Sequence, residues 1–283
     1  MPAISRREFF QGVTAAGVLA AGVASVKAGP LGLPIGCQTW PVRKMISQDF
    51  PGTLKQLKDA GFQAIEMCSP AGYSDSGFGG LTKYKGSELR KIIHDAGLEC
   101  VSSHFGMKEL RDNQAGRIEW AKGLGLTQML VASLDGPRHA TMDDVKRAAD
   151  EYNKFGEQAA KAGITQGLHD ENFEVSMVDG KRVYDTLFGL LDPKFVKFQF
   201  QVSEIQHGLD AAEYFNKYPG RFISMHVQGW NASTKKMAAV GQDSLDWKKI
   251  FAAAKTGGIQ NYFVEMDLSL MKASVPYLQS LQV

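Results

Sequence analysis

What most limits this chain is a repeat of pattern. From Leu33 onward a short apolar run is followed by a stretch with helical spacing, and the pair recurs at roughly the thirty-residue length of a strand with its crossover helix. The runs expected as strands are 33–39, 64–68, 98–103, 128–132, 164–169, 195–201, 221–227 and 260–265. Helices are predicted between them over 50–60, 87–96, 113–124, 141–162, 183–191, 210–217 and 244–256, with a last one over 269–281. Glycines after Ala60, Ala96 and Ala162 read as helix ends feeding strands, and Thr141 with Asp144 three places on reads as a helix start. Eight such units in about 250 residues predict an α/β fold, a closed parallel (β/α)8 TIM barrel. The alternative, an open doubly wound sheet, usually carries a glycine fingerprint after its first strand, and Gly36-Cys37-Gln38-Thr39-Trp40 is not one.

Composition narrows the rest. At 283 residues and 44% apolar content the chain can bury a large core. A net charge of +2, from 32 basic and 30 acidic residues well mixed, argues against a nucleic-acid surface, since no Lys/Arg run is paired with aromatics. Cys37, Cys68 and Cys100 lack the short spacing of a zinc ribbon and read as buried thiols on strands. Residues 1–28 form a separate unit: Ser5-Arg6-Arg7-Glu8-Phe9-Phe10 precedes a Gly/Ala-rich segment over 12–26, and Val26-Lys27-Ala28 offers a small-x-small cleavage site. That order predicts a twin-arginine signal peptide, a periplasmic mature protein and a barrel over 31–283. The apolar segment is too short and glycine-rich for a membrane span.

In such barrels chemistry comes from the C-terminal ends of the strands. Taken strand by strand, those ends carry Gln38 and Trp40, Glu66, His104, Ser133, His169 with Glu171, Gln201, His226 and Glu265. Residues two apart on a strand share a face, so His169 and Glu171 both point inward if the strand stays extended. Imidazole, carboxylate and amide oxygen together suit a divalent Mn, Co, Fe or Zn better than calcium. Glu265, between Val264 and Met266, is costly to bury unless paired or metal-bound. Trp40 and Trp230 can stack on a sugar ring or pack against the barrel rim.

The phrases Gly36-Cys37-Gln38-Thr39-Trp40-Pro41-Val42-Arg43, Ser102-Ser103-His104, Leu168-His169-x-x-Asn172-Phe173-Glu174, Lys217-Tyr218-Pro219-Gly220-Arg221, Met225-His226-Val227, Asp246-Trp247-Lys248-Lys249-Ile250-Phe251 and Phe263-Val264-Glu265 resemble the sugar isomerase/epimerase family with a xylose-isomerase-like barrel. The resemblance covers essentially everything after residue 31. It implies a divalent metal held by His169, Gln201, His226 and Glu265, with isomerisation or epimerisation of a sugar through an enediolate. A non-phosphorylated sugar is expected from the periplasmic location and from the lack of a glycine-rich phosphate loop. It further implies catalytic roles for Glu265, Glu171 and His169, and substrate contacts for Gln38, Trp40, Glu66, His104 and Trp230. The chain departs from that family at the metal, where His169 and Gln201 stand in place of acids, and Glu171 is expected to restore a carboxylate. Expulsion of a neighbouring oxygen would instead make a lyase, for example on 3-keto-glycosides. A barrel that binds sugar without turnover and a metal-dependent nuclease are the competing classes. Near-neutral charge and six histidines speak against the nuclease. Assembly with copies of itself stays open.

Overall fold

A computed structural model describes residues 28–283. The predicted twin-arginine motif and cleavage site lie at or before its first residue, so they fall outside the described part apart from Ala28. Eight parallel strands close into a barrel: β1 Gly36–Gln38, β2 Ala64–Cys68, β3 Glu99–Phe105, β4 Gln128–Val131, β5 Thr165–Leu168, β6 Val196–Gln201, β7 Phe222–Val227 and β8 Asn261–Val264. They pair in chain order, and β8 closes on β1 through Gly36 opposite Phe263 and Cys37 opposite Val264.

Around them lie α1 Arg43–Gln48, α2 Phe50–Asp59, α3 Gly86–Asp95, α4 Met107–Leu124, α5 Met142–Lys161, α6 Val183–Leu190, α7 Ala211–Lys217, α8 Trp247–Gly257 and α9 Leu268–Ser280. Local chemistry accounts for the boundaries. Asp49, Thr141, Asp210 and Asp246 each accept a hydrogen bond from a backbone N–H of the first turn they precede. Gly61, Gly97 and Gly163 have φ of 100°, 77° and 75°, the left-handed geometry that lets the chain leave a helix and enter the next strand. α4 begins at Met107, six residues before the predicted start. Asn113 is nevertheless a cap: it has non-helical φ and ψ inside α4, and its Oδ1 accepts from Gly116 N at 2.9 Å, starting a second helical segment.

All three cysteines are buried, unpaired thiols on β1, β2 and β3. Behind β6 and β7, Phe188, Phe198, Phe200, Phe215 and Phe222 pack face to face and edge to face, a rigid wall for the strand ends they support. Two hairpins absent from the predicted pattern follow barrel strands: Met177–Val178 with Lys181–Arg182 after β5, and Gly229–Asn231 with Lys236–Ala238 after β7. No helix among the described residues is long and apolar enough to cross a membrane.

Candidate active site at the barrel mouth

The strand ends deliver a buried charge cluster whose centre is Glu66 on β2, fully shielded from solvent. Its Oε1 accepts from Ser102 Oγ at 2.5 Å and Gln199 Nε2 at 2.9 Å. Its Oε2 accepts from Gln38 Nε2 at 2.7 Å and His226 Nε2 at 2.5 Å, with His104 Nε2 at 3.2 Å. Two irregularities in the barrel register build this arrangement. An extra residue on β3, Val101, brings Ser102 opposite Glu66, and an extra residue on β7, Ile223, brings Ser224 opposite Gln199. Bulges of this kind re-aim side chains. Here each places a hydroxyl on the carboxylate network, since Gln199 Nε2 also donates to Ser224 Oγ at 2.8 Å.

His226 joins this centre to the mouth. Its Nε2 donates to Glu66, and its Nδ1 lies 2.9 Å from Glu265 Oε2, an ion-pair distance without the angle of an aligned hydrogen bond. Burial alone would favour the neutral ring, but Glu265 and Glu66 flank it and lift its pKa to about 10. Burial likewise works to raise both carboxyls, and the neighbouring imidazoles outweigh it: Glu66 falls well below the ordinary range and Glu265 falls below it. Glu265 Oε2 also accepts from Gln201 Nε2 and Gln228 Nε2, each at 3.0 Å. His104 Nε2 faces two acceptors, Gln199 Oε1 at 2.7 Å and Glu66 Oε2, so that nitrogen carries the proton.

His169, just past the end of β5, is the exception. It is fully buried, and neither ring nitrogen has a hydrogen-bond partner; Asp170 and Glu171 oxygens lie 3.8 Å away, beyond hydrogen-bond reach. Burial, with His226 and His104 nearby, pushes its pKa well below the usual histidine range, so the ring is neutral with a free lone pair. Glu171 lies beside it, facing the mouth, and is raised by burial and then by Glu265.

These donors fit a divalent metal. His104, His169 and His226 each offer a nitrogen, and the three atoms lie within 4.8 Å of one another. The His169 and His226 rings are 4.5 Å apart, and buried Gln201 Oε1 has no partner. A cation would replace the proton on His226 Nδ1, while Nε2 stays on Glu66, the carboxylate-held orientation usual for a metal-bound imidazole. Glu66 therefore sits behind the site, and His104, expected as a substrate contact, stands beside the other two imidazoles and also faces the inner cavity.

Two adjoining cavities open above this cluster. The inner one, about 170 Å³, is lined by Gln38, Trp40, Cys68, Tyr73, His104, Ala132, Glu171 and Glu265. The outer one, about 260 Å³, shares Trp40, Glu171 and Glu265 and adds Pro41, Gln201, Gln228, Met237, Met266 and Asp267. Trp230 stands on the hairpin after β7, outside both linings; its register neighbour Met237 faces the outer cavity instead. Sequence reasoning missed Ser102, Gln199 and Gln228. Ser102 and Gln199 left a trace, each lying two residues before a named strand-end residue, His104 and Gln201, on the same strand face.

A closed parallel barrel with buried imidazoles and carboxylates at the C-terminal strand ends has its polar groups where barrels of this class keep their chemistry. The chain belongs to the xylose isomerase-like TIM barrel family, whose sequence profile matches residues 54–272. A sugar phosphate isomerase/epimerase from Parabacteroides distasonis is similar in structure at 26% identity, covering 92% of this chain and 97% of that one with a TM-score of 0.73. D-allulose 3-epimerase from Methylomonas sp. has the same fold at 12% identity, covering 89% and 98% with a TM-score of 0.65. So does the IOLI protein, solved with a zinc atom, at 12% identity, covering 88% and 94% with a TM-score of 0.65. No curated protein matches the chain.

Proposed function

We propose that this chain is a metal-dependent isomerase or epimerase of a non-phosphorylated sugar, working by proton removal from the carbon beside a carbonyl. The observation that carries the reading is the divergence of two carboxyls facing one cavity. Glu265 is held ionised by His226, whereas Glu171 is raised toward neutrality by burial and by Glu265 itself. Paired groups driven apart in this way divide acid–base roles between them. His169, His226 and Glu265, with Gln201 Oε1, would hold the cation. A divalent ion bound there would act as a Lewis acid, polarising the carbonyl and acidifying the adjacent C–H. Glu171 takes the proton and gives isomerisation by returning it to the neighbouring carbon; epimerisation needs return to the opposite face, the role His104 would take in the same cavity. A free sugar is favoured over a phosphorylated one because, among the described residues, no Lys or Arg lines either cavity.

Solvent-deuterium incorporation into a panel of free and 3-oxidised sugars tests this. Deuterium on carbon without bond cleavage is the expected outcome. Cleavage would convert the reading to a lyase, and no exchange with any sugar would overturn it. We also propose export by the twin-arginine route, on the strength of Arg6-Arg7 and the segment after it. Exchanging both arginines for lysine should abolish export.

A further inference from the structure

Three donors crowd one oxygen of Glu265. Gln201 Nε2 and Gln228 Nε2 each stand 3.0 Å from Oε2, and His226 Nδ1 stands 2.9 Å from it. Two of the three have another task in the metal reading. A cation would take the place of the proton on His226 Nδ1, and Gln201 Oε1, buried and without a partner, is offered to the same ion. The Gln201 backbone is fixed for that purpose, since its N–H donates to buried Asp170 Oδ1 at 2.6 Å. Among the described residues, Gln228 is therefore the donor to Glu265 that is not itself offered to the metal.

The register of the barrel puts Gln228 there. β7 and β8 pair in parallel with Val227 opposite Val264, and Glu265 N donates to Val227 O at 3.2 Å. Gln228 and Glu265 are thus the next neighbours past the end of the ladder. Residues two apart along an extended chain share a face, so Gln228 joins His226 on the inward side. The backbone is held on both flanks. β7 precedes Gln228, and Gly229 follows it in the hairpin, so close to the returning strand that a Cβ there would fall 2.2 Å from Ala238 O. Glycine is the residue that allows such an approach. The Gln228 side chain is itself buried, at the floor of the outer cavity lining.

We propose that Gln228 is a positioning residue for the cation. Its amide keeps the Glu265 carboxylate in place once an ion has displaced the proton that His226 aims at the same oxygen. The role rests on the metal reading above and acts through Glu265. Carboxylates that bind metals are in turn hydrogen-bonded, and loss of such a partner weakens metal binding about 10–100-fold.

Equilibrium dialysis against Co²⁺ tests this with two variants. Gln228→Leu fills much of the same space without the donor, and Gln228→Ala removes both. Each should bind Co²⁺ at least tenfold more weakly than wild type while keeping a cooperative urea transition. At saturating Co²⁺ each should also show a shifted visible absorption band, which reports the ligands of the ion rather than the stability of the fold. Trp230→Ala, two residues along the same hairpin, should match wild type in both readouts. An affinity within tenfold of wild type in either variant, or an unshifted band, overturns the positioning role while the metal reading stands. Loss of the urea transition in both variants would make Gln228 a structural residue and overturn the role as well. A wild type that takes up no Co²⁺ overturns both.

Discussion

Replacing Glu66 by Gln keeps the shape of the side chain and removes half of its accepting capacity. Five donors converge on the carboxylate: Ser102 and Gln199 on one oxygen, Gln38, His104 and His226 on the other. An amide has one oxygen, so whichever way it turns, at least two buried donors face its NH2 group. Each buried donor left without an acceptor costs about 1–3 kcal/mol, and the His226 ring also loses one of its two anionic partners. The expected destabilisation of the metal-free protein at pH 7 is about 3–5 kcal/mol, read from urea unfolding at unchanged m. For a chain of this size that is a fall in Tm of about 10 °C. The variant should also change the pH profile. His226 is protonated in the fold up to about pH 10, whereas the unfolded ring loses its proton near 6.5. The native protein therefore loses stability as pH rises through that window, and Glu66→Gln should flatten the loss. The control is Glu99→Gln, whose side chain is exposed and should cost under about 0.5 kcal/mol. A Glu66→Gln cost below about 1 kcal/mol would refute the idea that one carboxylate organises the cluster.

Two further outcomes are expected. Glu171→Gln should lower kcat by about 10²–10⁴ while metal content per chain stays unchanged, measured by turnover and elemental analysis on the same sample. Glu174 is buried, accepts from Leu134 N at 2.8 Å and is pushed up to about 8, so it is protonated in the fold at pH values where the unfolded group is ionised. Stability should therefore fall as pH rises from about 4.5 to about 8, and Glu174→Gln should remove that slope in unfolding midpoints taken across the range.

The barrel was legible because its signals are local. Apolar runs, cap residues such as Thr141 and helix-ending glycines are each read within a few positions, and they fall on the elements found. The hairpin after β7 was not legible, since Lys236–Ala238 carries no apolar alternation. The strand-end residues could be named from the pattern, and the structure gathers His104, His169, His226, Glu171, Gln201 and Glu265 at one mouth. What the pattern hid was the partnership beneath. Glu66 reaches Gln199 and His226 across 133 and 160 residues of chain, and its alignment depends on single extra residues in β3 and β7 that leave the apolar pattern unchanged. Glu66, two residues before the end of β2, lies below the cavities, and Trp230, on the hairpin after β7, lies beside them.

Equilibrium dialysis against Zn²⁺ or Co²⁺ tests the central claim most directly. The wild-type chain should bind one ion, His169→Ala should lose it, and Trp230→Ala should keep it. A wild type that binds neither ion, or a His169→Ala variant that binds as well as wild type, would contradict the account.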